Sequence, residues 1–408
     1  EGRIEIFQLH KSLWPKKEIV DLLLNRSSKL VFSGLDALRV DNFQLLRGRN
    51  YALLTNATGL DAELQKGIDL LRKAGVMPAL VFEPEHGLYG HEDRVLADGL
   101  RIDKNGMKIL SLYSKIKKPE AKHLAGIDLI VVDIQNLPVR CYTYITTLTY
   151  LMEVAQENQI ELMILDRPNP YGFLKASGSM LDESYINFVA MAPVPFLYSL
   201  TTAEYANFMA HDRFDKLNLT VVTVSNWKRN EADAMLRNSW INPSPNIPSM
   251  ESAIVYPAVV LFEGVNYSVG RGTTRPFMYS GAPWLDSEKV VDSLRESGLP
   301  GVEFAEVVFT PSDSVFKGIP CKGVLITPTS LSFDPIRTGY EYMRIVKRLH
   351  PLHFRFHVKN GKFGIDRLWG SEGFREAVTA DLDYRFFYNT FYTEAQHFEE
   401  FVAPFRLY

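Results

Sequence analysis

From Tyr51 onward the chain alternates short, unbroken apolar runs with longer stretches in which apolar residues recur at helical spacing. Unbroken runs of about four to eight apolar residues mark strands buried on both faces, and helical spacing marks amphipathic helices. Read this way, Tyr51–Thr55, Val76–Phe82, Met107–Leu112, Ile127–Val132 and Ile160–Leu165 are strands. Asp61–Ala74, with Asp61 as N-cap, the short Pro119–Ala125, and Thr146–Asn158 are helices between them. Such alternation predicts a Rossmann-like parallel sheet. Periodicity breaks between Pro170 and Thr201, where Gly172, Gly178, Pro193 and Pro195 fall. Beyond the break, Thr201-Thr-Ala-Glu204 reads as a capping box opening a helix to Ala210. Leu219–Val224, Val302–Phe309 and Gly323–Ile326 read as strands and Pro335–Leu349 as a helix; a further helix starts near Pro15. The pattern predicts an α/β protein. A Rossmann-like parallel-sheet domain over residues 1–190 is followed by a second, smaller α/β domain with a mixed sheet over residues 191–408.

Composition narrows the function. The 408 residues are 46% hydrophobic and 23% charged, as in a globular protein with a large core. A formal net charge of −3 without any lysine- or arginine-rich run argues against nucleic acid as a main partner. No apolar stretch approaches the roughly 18 residues of a membrane span. The chain starts at Glu1 rather than methionine, as it would with an export signal already removed. Two cysteines, Cys141 and Cys321, make neither a metal site on their own nor a disulfide framework. The turn Thr55–Asp61 lacks the three-glycine dinucleotide fingerprint and no P-loop occurs, so no nucleotide cofactor is expected. His86 and His91, five apart in a loop, read as two exposed histidines, and no metal is expected.

Chemistry gathers at the strand ends. In an open α/β sheet ligands bind outside the carboxyl ends of the strands. Here those ends carry Asn56, Glu83-Pro-Glu85-His86, Tyr113, Asp133 and Asp166, all on one rim if the sheet is parallel. Farther on, Pro243-Ser-Pro-Asn246-Ile-Pro248 frames one side chain with three prolines. In Gly270-Arg271-Gly272 two glycines flank an arginine, as where backbone is pressed against a ligand or turns tightly.

Seven motifs occur in a fixed order: Glu83-Pro-Glu-His-Gly87, Asp133-Ile-Gln135, Arg140 with Tyr142-Thr-Tyr144, Asp166-Arg-Pro-Asn-Pro170, Pro243-Ser-Pro-Asn-Ile-Pro248, Phe262-Glu-Gly-Val-Asn266 and Gly270-Arg-Gly-Thr-Thr274. From about residue 45 onward the chain resembles the exo-β-N-acetylmuramidases of bacterial peptidoglycan recycling. It departs from the family pattern at Asn136, Pro138 and the segment Leu88–Arg94, which bears on substrate choice and activity. The resemblance implies two α/β domains enclosing a cleft, and a periplasmic or secreted glycoside hydrolase. Such an enzyme releases N-acetylmuramic acid from non-reducing ends of peptidoglycan fragments. A non-catalytic muropeptide-binding relative is the alternative.

Cleaving a glycoside requires an acid at the leaving oxygen and stabilisation of an oxocarbenium-like centre. Glu85 is the expected acid, since partial burial raises a carboxyl's pKa, with Glu83 second. His86 is a candidate to orient Glu85 or touch substrate. The second carboxylate is Asp133, Asp166 or Glu263, unless the substrate's own acetamido oxygen is the nucleophile. N-acetylmuramic acid carries a lactyl carboxylate, which a guanidinium binds well, and Arg140, Arg271 and Arg275 are the candidates. Asn56, Asn169, Asn246, Asn266 and Thr273 are candidate polar contacts to the sugar, and Tyr142, Tyr144 and Trp284 candidate stacking faces.

Overall fold

The structure is a computed structural model and describes residues 4–7, 30–91, 99–230 and 238–408. The helix expected near Pro15 lies outside them. Eight strands form the main sheet: β1 (Ile4–Phe7), β2 (Tyr51–Thr55), β3 (Leu80–Glu83), β4 (Leu100–Ile102), β5 (Lys108–Ser111), β6 (Leu129–Asp133), β7 (Glu161–Leu165) and β8 (Leu219–Val222). Their order is β1-β8-β7-β6-β2-β3-β5-β4, and every pair is parallel except β4 with β5. The chain therefore winds one way from β2 to β3 and β5 and the other way from β6 to β7 and β8. That reversal leaves a crevice at the carboxyl ends of the adjacent strands β2 and β6. The parallel layer takes in β8, so it runs past the boundary expected at residue 190.

Each strand sends alternate side chains to opposite faces. Leu54, Phe82, Ile130, Val132 and Ile164 point into a core shared with the helix Tyr144–Glu157 and with the second layer. Leu53, Val131 and Leu165 point the other way, under Leu35, Leu38, Leu70 and Leu71 of the helices Gly34–Val40 and Gly67–Ala74. Asp61 does not cap a helix. Its carboxylate accepts the Glu63 and Gln65 amides and pairs with Arg39, and the helix begins only at Gly67. The Thr201 capping box forms as expected, opening the helix Thr202–Asp212, and Pro335–Leu349 is a helix over its full expected length.

The second layer holds β9 (Tyr279–Ala282), β10 (Val302–Phe309) and β11 (Cys321–Pro328), antiparallel in the order β10-β11-β9. The apolar run Ala253–Phe262 lies in the helix Met250–Val259 and one further turn. Both layers contribute to one hydrophobic core.

Candidate active site

The loop after β3 is built by strand alternation and two successive left-handed residues. Phe82 enters the shared core, so Glu83 points to the opposite face. There its carboxylate takes Nη1 and Nη2 of Arg101 at 2.6 and 2.8 Å and the Leu88 amide at 3.1 Å. Glu83 thus anchors the loop through Arg101 and the Leu88 amide. His86 and Gly87 both adopt positive φ, 71° and 73°. For a histidine this costs on the order of 1 kcal/mol or more. His86 is buried, not exposed as expected. The reversal turns Glu85 back, half-buried, toward the crevice side of the sheet.

Glu85 is held by the helix Tyr144–Glu157. The hydroxyl of its N-cap, Thr143, makes no bond to the helix's own amides and donates instead to Glu85 Oε2. The next side chain, Tyr144, joins three segments. Its hydroxyl accepts from Asn56 Nδ2 at 2.9 Å, donates to the Pro243 carbonyl and lies 3.3 Å from the Glu85 carbonyl. Burial, and then the Glu85 charge, push the Tyr144 phenol far above its ordinary pKa, so it stays a donor. Asn246 sits buried in the same proline-framed loop.

A run of rings leads to the second layer. Tyr142 meets Tyr144 edge-on at 4.9 Å and Tyr256 at 5.8 Å. Tyr256 feels the charge of Glu263, whose Oε1 accepts Arg271 Nε at 2.6 Å. The tyrosines thus form a chain of contacts from the Glu85 loop toward the Glu263–Arg271 pair. Beyond β5, Lys117 Nζ lies over the rings of Tyr113 and Phe188, at 4.0 and 4.3 Å from their centroids.

Several expected site residues are placed elsewhere. Asp133 shares the face of Val131, opposite the crevice, where Arg167 binds it at 2.6 Å. Burial raises its pKa and Arg167 opposes the shift. Asp166 is fully buried; it accepts the Ala203 amide at 3.0 Å and the Tyr408 hydroxyl at 2.9 Å, at the start of the helix Thr202–Asp212. Burial pushes its pKa up to about 7. Arg140 has no exposed surface. Its guanidinium donates to the main-chain carbonyls of Ser179, Val194 and Trp369, so it cannot receive a substrate carboxylate. Asn169 Oδ1 accepts the Tyr171 amide, Asn266 bridges His353 and Arg355, and Thr273 Oγ1 closes a turn onto Gly270. Asn56 is committed to Thr58 and Tyr144. The rings of Tyr142 and Tyr144 are buried, and Trp284 packs on His350 and His353, so none offers a face to a sugar. Gly270 and Gly272 are required by their own chain. An added Cβ would lie 2.4 Å from the Tyr279 carbonyl and 2.3 Å from Ser312 Oγ. Sequence reasoning missed Thr143, Lys117 and Phe188. Only Thr143 lay inside a recognised motif, between Tyr142 and Tyr144.

Among the described residues no group of three or more His, Cys, Asp or Glu side chains is arranged to hold a metal ion. Both cysteines are free and buried.

A mostly parallel sheet with helices on both faces, joined to a second layer with an antiparallel sheet, defines a two-layer α/β protein. Residues 51–251 match the N-terminal domain and residues 254–408 the C-terminal domain of exo-beta-N-acetylmuramidase NamZ, and the chain belongs to that family of glycosidases. It is 35% identical over 381 residues to the peptidoglycan beta-N-acetylmuramidase NamZ of Bacillus subtilis (strain 168), covering 93% of this chain and 91% of the relative. Two solved DUF1343 family proteins of Bacteroides fragilis share the fold. One has a TM-score of 0.85 at 32% identity and the other 0.72 at 25%, each aligned over 93% of this chain and 99% of the other.

Proposed function

We propose that the protein is an exo-β-N-acetylmuramidase acting on peptidoglycan fragments, with Glu85 as general acid. One observation carries the assignment of the acid. Of the four carboxylates at the rim, Glu83, Asp133 and Asp166 are buried and committed to partners, and Glu85 keeps a face toward solvent. Thr143 fixes one carboxylate oxygen, which leaves the other to carry the proton to the leaving oxygen. Asp133 lies on the opposite face of the sheet, and Asp166 is buried at the start of the helix Thr202–Asp212. The reading therefore gives the second role to the substrate's 2-acetamido oxygen, which attacks the anomeric carbon as the glycosidic bond breaks.

The test is release of nitrophenol from a nitrophenyl β-N-acetylmuraminide, compared with cleavage of a disaccharide. The wild type cleaves both. Glu85→Gln keeps its shape but loses the proton, so turnover on the disaccharide falls by about 10² to 10⁴ with little change in melting temperature. The nitrophenyl substrate, whose leaving group departs unprotonated, loses much less. Equal losses on both substrates would remove Glu85 as the acid. Binding without release by the wild type would make the protein a muropeptide-binding member of the family.

A further inference from the structure

The arginines expected to hold the substrate's carboxylate are poorly placed for it. Arg140 is sealed among carbonyls, and Arg271 is paired with Glu263. A different cation stands beside Glu85. The register between β3 and β5 pairs Glu83 with Ser111. Glu85 and Tyr113 therefore follow the ends of adjacent strands. Lys117 closes the turn after Tyr113 and lays its ammonium over the Tyr113 and Phe188 rings.

Three contacts fix this lysine to the helix that also holds Glu85. Phe188 stacks on Tyr150 at 6.4 Å and 22°. The neighbouring Lys118 binds Glu153 at 3.2 Å and Glu157 at 3.0 Å. Tyr150, Glu153 and Glu157 all belong to the helix Tyr144–Glu157, whose N-cap Thr143 bonds Glu85. The turn carrying Lys117 and the loop carrying Glu85 are thus both tied to that helix. Lys117 makes no ion pair with any described carboxylate. Aromatic faces orient an ammonium without neutralising it, so its charge remains available to an incoming anion. Partial burial pushes its pKa down and the Glu85 charge pushes it back up.

We propose that Lys117, held over Tyr113 and Phe188 beside Glu85, receives the lactyl carboxylate of the N-acetylmuramoyl unit and so selects that sugar over N-acetylglucosamine. The proposal rests on the muramidase reading. The carboxylate is the one feature by which the two sugars differ in charge, and an ammonium next to the acid draws it to one side of the reacting centre.

The test compares wild type, Lys117→Met, Lys117→Gln and Lys117→Arg on three nitrophenyl glycosides: the N-acetylmuraminide, its lactyl methyl ester and the N-acetylglucosaminide. The ester keeps the shape and removes the charge. Lys117→Met and Lys117→Gln should lower kcat/KM on the acid roughly ten- to a hundredfold, mainly through KM, since hydrogen bonds to charged groups are worth that much. Losses on the ester and the glucosaminide should stay below about threefold, and Lys117→Arg should retain most of the discrimination. Equal losses on all three substrates, or no loss on any, would overturn the assignment. If the wild type cleaves none of them, the muramidase reading has failed. Calorimetric binding of free N-acetylmuramic acid against its methyl ester then tests Lys117 separately. Charge-selective binding lost in Lys117→Met upholds it, and binding indifferent to the ester or to the variant overturns it.

Discussion

At the scale of single residues, the rim shows how one strand end separates two adjacent carboxylates into different roles. Glu83 and Glu85 are two apart and would share a face if the strand continued. Pro84 and the left-handed pair His86-Gly87 end the strand and turn Glu85 to the crevice side. Replacing Glu83 by Gln should weaken the clasp on Arg101 and on the Leu88 amide. It should cost roughly 1–3 kcal/mol of stability and lower activity equally on good and poor leaving groups. A leaving-group dependence like that expected for Glu85→Gln would contradict the anchoring role. Asp166 gives a second prediction. Burial, with the Glu204 charge behind it, raises its folded-state pKa to about 7, above the ordinary 3.8. The folded protein therefore binds more protons than the unfolded chain between those values. The stability Asp166 contributes is full below about pH 4 and is lost as pH rises through about 7. Thermal melts from pH 4 to 7 should show wild type losing stability relative to Asp166→Asn, by at most a few kcal/mol. Parallel pH profiles for the two would refute the shift.

At the scale of elements, the helix Tyr144–Glu157 carries Glu85 at its N-cap and anchors the Lys117 turn at its far end. Because the Thr143 hydroxyl serves Glu85 and not the helix's own amides, Thr143→Val should leave melting almost unchanged. An ordinary N-cap threonine would cost about 0.5–2 kcal/mol on removal. Turnover should nonetheless fall roughly tenfold or more, since a displaced acid loses its alignment. A large stability loss with normal turnover would make Thr143 a plain helix cap. The elements were largely legible in the sequence where caps and periodicity agree, as at Thr201 and over Pro335–Leu349. They were less legible at Asp61, whose carboxylate serves a tight turn instead of a helix. The face of each terminal carboxylate was not legible. Strands buried on both sides read as continuous apolar runs, and the alternation that would separate Asp133 and Glu83 from the crevice disappears. Nor could sequence bring Lys117 toward Glu85, because the β3–β5 register and the contacts to the helix Tyr144–Glu157 exist only in the fold.

At the scale of the whole molecule, the two layers are held together by buried contacts that sequence reasoning assigned to substrate. Arg140 leaves the rim loop after β6 and reaches carbonyls at Ser179 and Val194 and, across the layers, at Trp369. Gly370 makes room for it: a Cβ there would lie 2.3 Å from Arg140 Nη2. A guanidinium buried without a carboxylate is tolerated in part because the three carbonyls accept from Nη1 and Nη2. Arg140→Met should keep the volume and strand those carbonyls, at a cost of about 3–5 kcal/mol. At roughly 2 °C per kcal/mol for a protein of this size, melting should drop by about 6–10 °C. If Arg140 has no part in binding, KM for the nitrophenyl N-acetylmuraminide measured well below the melting transition should match wild type. Its ratio to KM for the methyl ester should be unchanged. A selective rise in KM for the charged substrate, with melting intact, would return Arg140 to the binding site and displace Lys117 as the residue that reads the carboxylate.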